Sequence, residues 1–460
     1  MSENFMRKYR QTLQLGLIKV VQELFPGERL KIPYSILDGI YCEFSGSLIS
    51  QREVKLIESE LKKWVEQTNE IKLIGKEGPQ YRYQLDKAVI SSIYPALNDT
   101  SPIRNFDIVH FPPGFILHFA DAAGSGHFVL PEKLSATYTE TQRWLENLNL
   151  DKIKDVNTFI QNGHSLDLIA IAEALQEKKI ADIADRVLKE KKTVRMILIS
   201  GPSSSGKTTF AQRLSTQLRV SGLKPVPLSL DNYFLNRDKT PRDASGQLDF
   251  DVLEALDLPY LNEQIEKLIK GETVETPVFD FLTGNRGAKG QRLCLGPDDI
   301  LVVEGIHALN PRLLTAINRT YFFKIYISAL FQLNIDAYNR VPTTEARLIR
   351  RIVRDDKFRG FDPERTLKQW VSVRRSESTN VFKYQEEADV MFNSSLIYEL
   401  NALRSFTGPL LEKVPKQSPC YDAAARLLNL LSFFEPMDTS KVPFNSILRE
   451  FIGGGLYPGV

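Results

Sequence analysis

Gly201-Pro202-Ser203-Ser204-Ser205-Gly206-Lys207-Thr208 is the stretch from which the fold of the chain can be read. It satisfies the pattern G-x-x-x-x-G-K-S/T at every fixed position. It also has the setting that such a loop needs, an apolar run over Arg195–Ser200 before it and an amphipathic helix over Thr208–Val220 after it. The residue types follow from the chemistry. Backbone N–H groups must turn inward around a phosphate, and glycines allow this because no Cβ blocks the turn. The helix N-terminus adds partial positive charge at the same point. Lys207 can reach β- and γ-phosphates, and the Thr208 hydroxyl can ligate Mg²⁺. Residues Gly201 to Thr209 are therefore expected to cradle ATP with its magnesium ion.

Working outward, consecutive apolar runs at Val194–Ser200, Pro225–Leu230, Ile300–Val303 and Tyr321–Ile327 have the form of strands covered on both faces. Helical stretches such as Thr209–Val220 and Leu258–Ile269 separate them. This alternation predicts an α/β fold, a parallel sheet with helices on both faces, over residues 193–410. Residues 1–150 read as a smaller α+β domain. Within it Leu30–Ile32 and Ile40–Phe44 look like strands, and Ser50 and Glu53 have capping-box spacing before a helix with Val54, Ile57, Leu61, Trp64 and Val65 on one stripe. Residues 151–192 read as a helical connector, with apolar positions at 3–4 spacing in Asp167–Gln176 and Ile180–Lys189 and Glu177-Lys178-Lys179 between them. Residues 411–460 add an amphipathic helix, Tyr421–Phe434, and a tail, expected to pack on the 193–410 domain.

Composition narrows the classes. The 460 residues are 42% hydrophobic and 25% charged, which is globular. Lys and Arg number 59 against 57 Asp and Glu, so no polyanion-binding surface is expected and nucleic acid is not an expected partner. The three cysteines, Cys42, Cys294 and Cys420, are scattered, which fits a reducing cytoplasm. Met1–Gln11 lacks the apolar core of a signal peptide, and no apolar run reaches the ~18 residues of a membrane span. A cytoplasmic protein is expected, with self-association left open.

Three later features bear on chemistry. Asp231, in Leu228-Ser229-Leu230-Asp231-Asn232-Tyr233-Phe234, stands at the carboxyl end of an apolar strand, where ligands bind in open α/β sheets. A carboxylate there can accept a proton from an attacking hydroxyl and help hold the metal. Glu304 ends Asp299-Ile300-Leu301-Val302-Val303-Glu304 and is a second candidate for Mg²⁺. In Arg347–Gly360, helical spacing puts Arg347, Arg350, Arg351 and Arg354 on one broad face, suited to a transferring phosphoryl group; a solvated basic face or a nucleic-acid patch would read alike.

Taken together, these pieces resemble the uridine kinase and phosphoribulokinase family of P-loop kinases. Gly201–Thr209, Ser229–Phe234, Leu248–Asp251, Val278–Phe281, Val302–Asn310 and Ala346–Gly360 stand in family order. The resemblance implies catalytic roles for Lys207 and for Asp231 as general base, lid arginines at Arg354 and Arg359, and an acceptor pocket of Tyr233, Asp251, Phe279 and Arg351. It places Mg²⁺ on Thr208, Glu304 and Asp231. Departures lie on the acceptor side. Phe279 replaces a usual Tyr, Gly284 replaces a His, and Phe361 replaces an Arg, so acceptor specificity does not carry over with the phosphoryl machinery.

The N-terminal segment resembles the second additional domain of threonyl-tRNA synthetase, through Glu23–Gly27, Asp38–Phe44 and the helix from Ser50. The paired histidines of that domain are missing, since the matching positions lie near Leu15 and Lys19. His110, His118, His127, His164 and His307 are dispersed. Binding, regulation or dimerisation is expected of this segment, not editing. The expected activity of the whole is transfer of the γ-phosphoryl of ATP to a small acceptor, a nucleoside. A sugar phosphate or pantothenate-like alcohol is the alternative acceptor. An ATP-binding, RNA-associated regulator is the alternative from another class.

Overall fold

The computed structural model describes residues 3–36, 38–119, 130–242, 246, 248–280 and 283–457. Phe281 and His127 lie outside the described residues. The apolar run before the cradle becomes Met196–Ser200, the central strand of a five-stranded parallel sheet whose order is Val390–Asn393, Phe322–Ser328, Met196–Ser200, Asp299–Glu304, Lys224–Ser229. Every residue of the central strand is buried, which is why its sequence is continuously apolar. Glu304 is level with Ile199 on one neighbour and with Ser229 on the other. Three carboxyl ends therefore finish together, and the cradle leaves the sheet there. The four expected strands are present with ends shifted by a residue or two. The fifth, Val390–Asn393, was not expected; four residues are too few to separate from a turn.

Helices pack on this sheet as the pattern requires. Leu258–Ile269 begins at Asp257, whose side chain accepts from the Tyr260 amide, and it buries Leu261, Ile265 and Leu268. Each such buried side chain contributes roughly 1.5–3 kcal/mol. Within the connector, Ser165–Lys189 is one continuous helix. Glu177-Lys178-Lys179 are good helix formers with no Gly or Pro among them, and charge alone does not stop a helix. Glu177 is instead held by Arg213 of the cradle helix at 2.7 Å.

The chain forms two compact units. One comprises residues 166–330, 347–399 and 438–460 and carries the parallel sheet. The other comprises residues 1–165, 331–346 and 400–437. Tyr421–Leu431, expected on the 193–410 domain, belongs to this second group; its apolar positions name no surface to pack on. The fold class is as expected, a P-loop kinase sheet preceded by a smaller α+β region and connecting helices. That region has a four-stranded antiparallel sheet, in the order Leu30–Ile36, Gly39–Phe44, Gly114–His118, Asp107–Phe111, and a three-stranded one. Helix Gln51–Glu66 starts in the expected capping box, with Ser50 N–H donating to Glu53 at 2.7 Å, and it buries the expected stripe. Its core is shared with helix Glu3–Leu24 through Leu13, Leu17 and Ile18.

Candidate active site

The cradle is shaped by steric necessity at two glycines. A Cβ on Gly201 would stand 2.1 Å from the Ile327 carbonyl oxygen of the adjacent strand. Gly206 has φ +84, and a Cβ there would meet Ile447 at 2.5 Å. Ser204 also has positive φ, at 59°. Together these turns direct the backbone inward and launch helix Lys207–Val220. The Ser204 and Ser205 hydroxyls are buried and make no hydrogen bond within the protein. Buried polar atoms are nearly always partnered, so two orphans in a phosphate-type loop fit an anionic ligand. Lys207 folds back, Nζ donating to the Pro202 carbonyl at 3.1 Å.

The acids converge on that lysine. Burial lowers the Lys207 pKa, opposed by the charges of Glu304, Asp231, Glu450 and Glu377. Burial raises the Asp231 pKa, against the pull of Lys207, Arg359 and Arg354. Glu304 is pushed up to about 7 by burial and by Asp231, although Lys207 and a 2.7 Å hydrogen bond from the Ser229 hydroxyl favour its charged form. A buried carboxylate whose pKa is raised by a second carboxylate is a setting that a divalent cation stabilises. Among the described residues no group of three or more His, Cys, Asp or Glu is clustered for a metal. The side-chain oxygens that could hold a cation here are those of Asp231, Glu304 and Thr208, with the remaining positions left to phosphate or water.

The arginine run is helix Thr343–Arg359; Arg347, Arg350, Arg351 and Arg354 are buried, not a solvated face, while Arg359 is part exposed. Arg347 pairs bidentately with Glu377 at 2.6 and 2.7 Å and donates to the Ser203 carbonyl at 2.9 Å. The same Glu377 accepts the Ser203 N–H at 2.8 Å. Arg350 pairs with the buried Glu399 at 2.5 Å and donates to the Ser204 carbonyl at 3.3 Å. These two arginines stitch the helix to the cradle. Arg351 donates to the Ser203 hydroxyl at 2.8 Å.

Asp355 sits among the remaining arginines. Arg354 donates to it at 2.8 Å, and Arg351 and Arg359 stand at 3.2 and 3.7 Å. Burial would raise the Asp355 pKa, but the three guanidiniums hold it down. Burial and the neighbouring Arg354 lower Arg359 to about 10. Sequence reasoning missed Asp355, Glu377 and Glu399. Only Asp355 left a signal, the spacing of four residues on either side to Arg351 and Arg359.

The expected acceptor residues divide. Asp251 faces the cluster: burial lifts its pKa to about 6, with Arg351 opposing and Glu377, Asp249 and Asp231 adding to the rise. Tyr233 is fully buried, and its hydroxyl donates to Gln264 at 2.7 Å. Phe279 is also buried, packed edge-on against Phe234, with its amide on the Asn232 side chain.

Residues 196–397 match the family described as Phosphoribulokinase / Uridine kinase. Uridine kinase of Mycoplasma genitalium is 33% identical over 178 residues, 39% of this chain and 74% of that one. Uridine kinase of Mycoplasma pneumoniae is 31% identical over 210 residues, 45% of this chain and 88% of that one. A solved possible uridine kinase from Bacillus stearothermophilus aligns over 47% of this chain and 98% of its own, at 21% identity and TM-score 0.32. No helix among the described residues is long and apolar enough to cross a membrane. The residues that build the cradle, its acids and its arginines fall inside the matched span, and the chain belongs to the phosphoribulokinase and uridine kinase family.

Proposed function

We propose that the protein is a kinase that moves the γ-phosphoryl group of ATP, with Mg²⁺ as accompanying ion, to a hydroxyl of a small acceptor, a nucleoside. The observation that carries this reading is the convergence of Asp231 and Glu304 on Lys207 at the mouth of the cradle, with Arg354 and Arg359 acting on the same Asp231. Phosphoryl transfer asks little covalent chemistry of a protein; it asks for positioning and for neutralisation of charge. The amides of Gly201–Thr209 and the orphan hydroxyls of Ser204 and Ser205 hold the phosphates, and Lys207 offsets their charge. Thr208, Glu304 and Asp231 are the residues for Mg²⁺, which when bound supplies charge stabilisation to the phosphoryl oxygens. Asp231 takes the acceptor's proton, and a pKa raised by burial brings it closer to the operating pH of a general base. Arg354 and Arg359, poised on Asp355, screen the transferring group and exclude water.

A nucleoside acceptor is supported by the sequence similarity to uridine kinases, with Asp251 and Arg351 as its contacts. A phosphorylated sugar is the second reading, favoured by one observation. At Gly284, where uridine kinases carry a His, the space is taken by Arg237: a Cβ there would lie 3.3 Å from its Cδ, and its amide donates to the Gly284 carbonyl at 2.9 Å. The aliphatic part of the Arg237 side chain runs past this position, and a guanidinium nearby suits an anionic acceptor.

The test is ADP release measured over nucleosides, ribulose 5-phosphate and pantothenate, repeated with Asp231→Asn. The variant should keep nucleotide affinity and lose about 10²–10⁴ in turnover. Full activity in Asp231→Asn sinks the assigned base, and no acceptor-dependent ADP release with any panel member sinks the kinase reading.

A further inference from the structure

Residues 438–457 lie outside the matched span yet close on the cradle. Ile447 lies against Gly206, and Glu450 accepts the Thr209 N–H at 3.1 Å. Between this segment and the helix start is a cavity of about 320 Å³, with Thr208 and Thr209 on one side and Phe358, Phe444, Leu456 and Tyr457 among its other walls. That volume lies at the lower end of the roughly 300–1,000 Å³ typical of small-molecule sites. Three of these side chains are unusually exposed for their type: Phe444 at 70%, Leu456 at 67% and Phe358 at 40%. Apolar side chains gathered around one opening without covering one another leave surface for a flat ligand. The walls are built, not loose. Arg449 donates to the Val442, Thr439 and Gly453 carbonyls, and the Leu456 amide donates to the Phe444 carbonyl at 2.7 Å. Lys357 of the arginine helix is bonded to the Ile452 carbonyl.

We propose that this segment forms the nucleobase subsite of the nucleotide held by the cradle, an inference that rests on the ATP-binding reading above. A chain of phosphates that begins at Lys207, passes the Thr208 amide and displaces Glu450 from the Thr209 amide delivers its sugar and base into this cavity. There the ring stacks against Phe444 and packs on Leu456. Aromatic stacking is sequence-tolerant, so the subsite prefers a base over none more strongly than one base over another.

The experiment compares the Mg²⁺ complexes of ATP and of inorganic tripolyphosphate, which has the phosphates and no base, by calorimetry on the full chain. Phe444→Ala and Leu456→Gln alter exposed side chains, and tripolyphosphate affinity reports on the integrity of the cradle in each. Wild type should bind ATP at least about tenfold more tightly than tripolyphosphate, and each variant should lose about five- to tenfold for ATP with tripolyphosphate unchanged. Equal affinity of the two ligands in wild type overturns the subsite and leaves the cradle standing. So does an ATP advantage that both variants keep, or an equal loss for both ligands. If neither ligand binds wild type, the cradle reading falls and the subsite with it.

Discussion

Replacing Glu377 by Gln tests whether the cradle is held by a buried ion pair. The Arg347 and Glu377 side chains are 1% and 5% exposed, and two charge-assisted bonds of 2.6 and 2.7 Å join them. Each hydrogen bond to a charged group contributes about 1.5–3 kcal/mol. The glutamine keeps one oxygen but turns an N–H₂ group toward the guanidinium or toward the Ser203 amide, and it leaves Arg347 buried without a counter-charge. Arg347 retains its bond to the Ser203 carbonyl and its place over the Trp370 ring, 5.2 Å away. These remaining contacts keep the expected loss within the range for breaking a buried pair, about 3–5 kcal/mol. At about 2–4 °C per kcal/mol for a unit of this size, the melting temperature should drop by about 6–20 °C. Urea unfolding followed by circular dichroism measures the loss directly. The double variant Arg347→Met/Glu377→Leu, which removes both charges, should recover most of it. A loss in Glu377→Gln below about 1 kcal/mol would refute the reasoning, because it would mean that water reaches the pair.

Three further outcomes follow from the same geometry. Gly206→Ala should cost about 1–3 kcal/mol in thermal unfolding, from a side chain forced to φ +84 and a Cβ 2.5 Å from Ile447; unchanged stability would show that Ile447 yields freely. His307 is buried and held neutral, its pKa lowered by burial to about 4 from the ordinary 6.5. The unfolded chain therefore binds the extra proton between those values, and stability rises with pH across that window by up to about 3 kcal/mol. His307→Gln should flatten that part of the stability–pH curve, and a curve parallel to wild type would contradict it. Glu450→Gln removes a carboxylate from the Thr209 amide that a phosphate needs. Calorimetry should give a tighter Kd for both ATP and tripolyphosphate, by about tenfold, since like-charge juxtaposition costs several kcal/mol; weaker binding of both would mean that the carboxylate orders the site.

What could be read from the sequence was whatever is coded locally. The cradle is eight consecutive residues with fixed spacing, and strand Met196–Ser200 and helix Lys207–Val220 flank it as expected. Asp231 and Glu304 stood out because a carboxylate ending an apolar run is conspicuous, and both act on Lys207 in the structure. Glu377 was not: it sits in Arg374-Arg375-Ser376-Glu377-Ser378, which has the look of a solvated helix, and its partner is 30 residues away. The burial of Arg347 and Arg350 was hidden for the same reason, since each carboxylate that permits it arrives from another element. The burial of Tyr233 was hidden too, because a position in the chain does not say which way a side chain turns; its hydroxyl is held by Gln264, 31 residues on. The segment around Glu450 carries no periodic pattern at all, so its approach to the Thr209 amide exists only in three dimensions.

The stitching of the arginine helix has a mechanical consequence. Arg347 and Arg350 pin its first turns to the cradle, and the returning helix Pro363–Asn380 is pinned to the same Arg347 and to the Ser203 amide through Glu377. The two helices thus form an arch with both footings nailed down. Its crown is the short bend from Arg359 to Asp362, where Gly360 adopts φ +62. The crown is tied as well: the Phe361 amide donates to the Asp355 carbonyl at 3.1 Å, and the Thr366 hydroxyl donates to the Asp355 carboxylate at 3.4 Å. Arg354 and Arg359 stand on the rising limb just below that bend, so a span braced at three points carries their charges to Asp231.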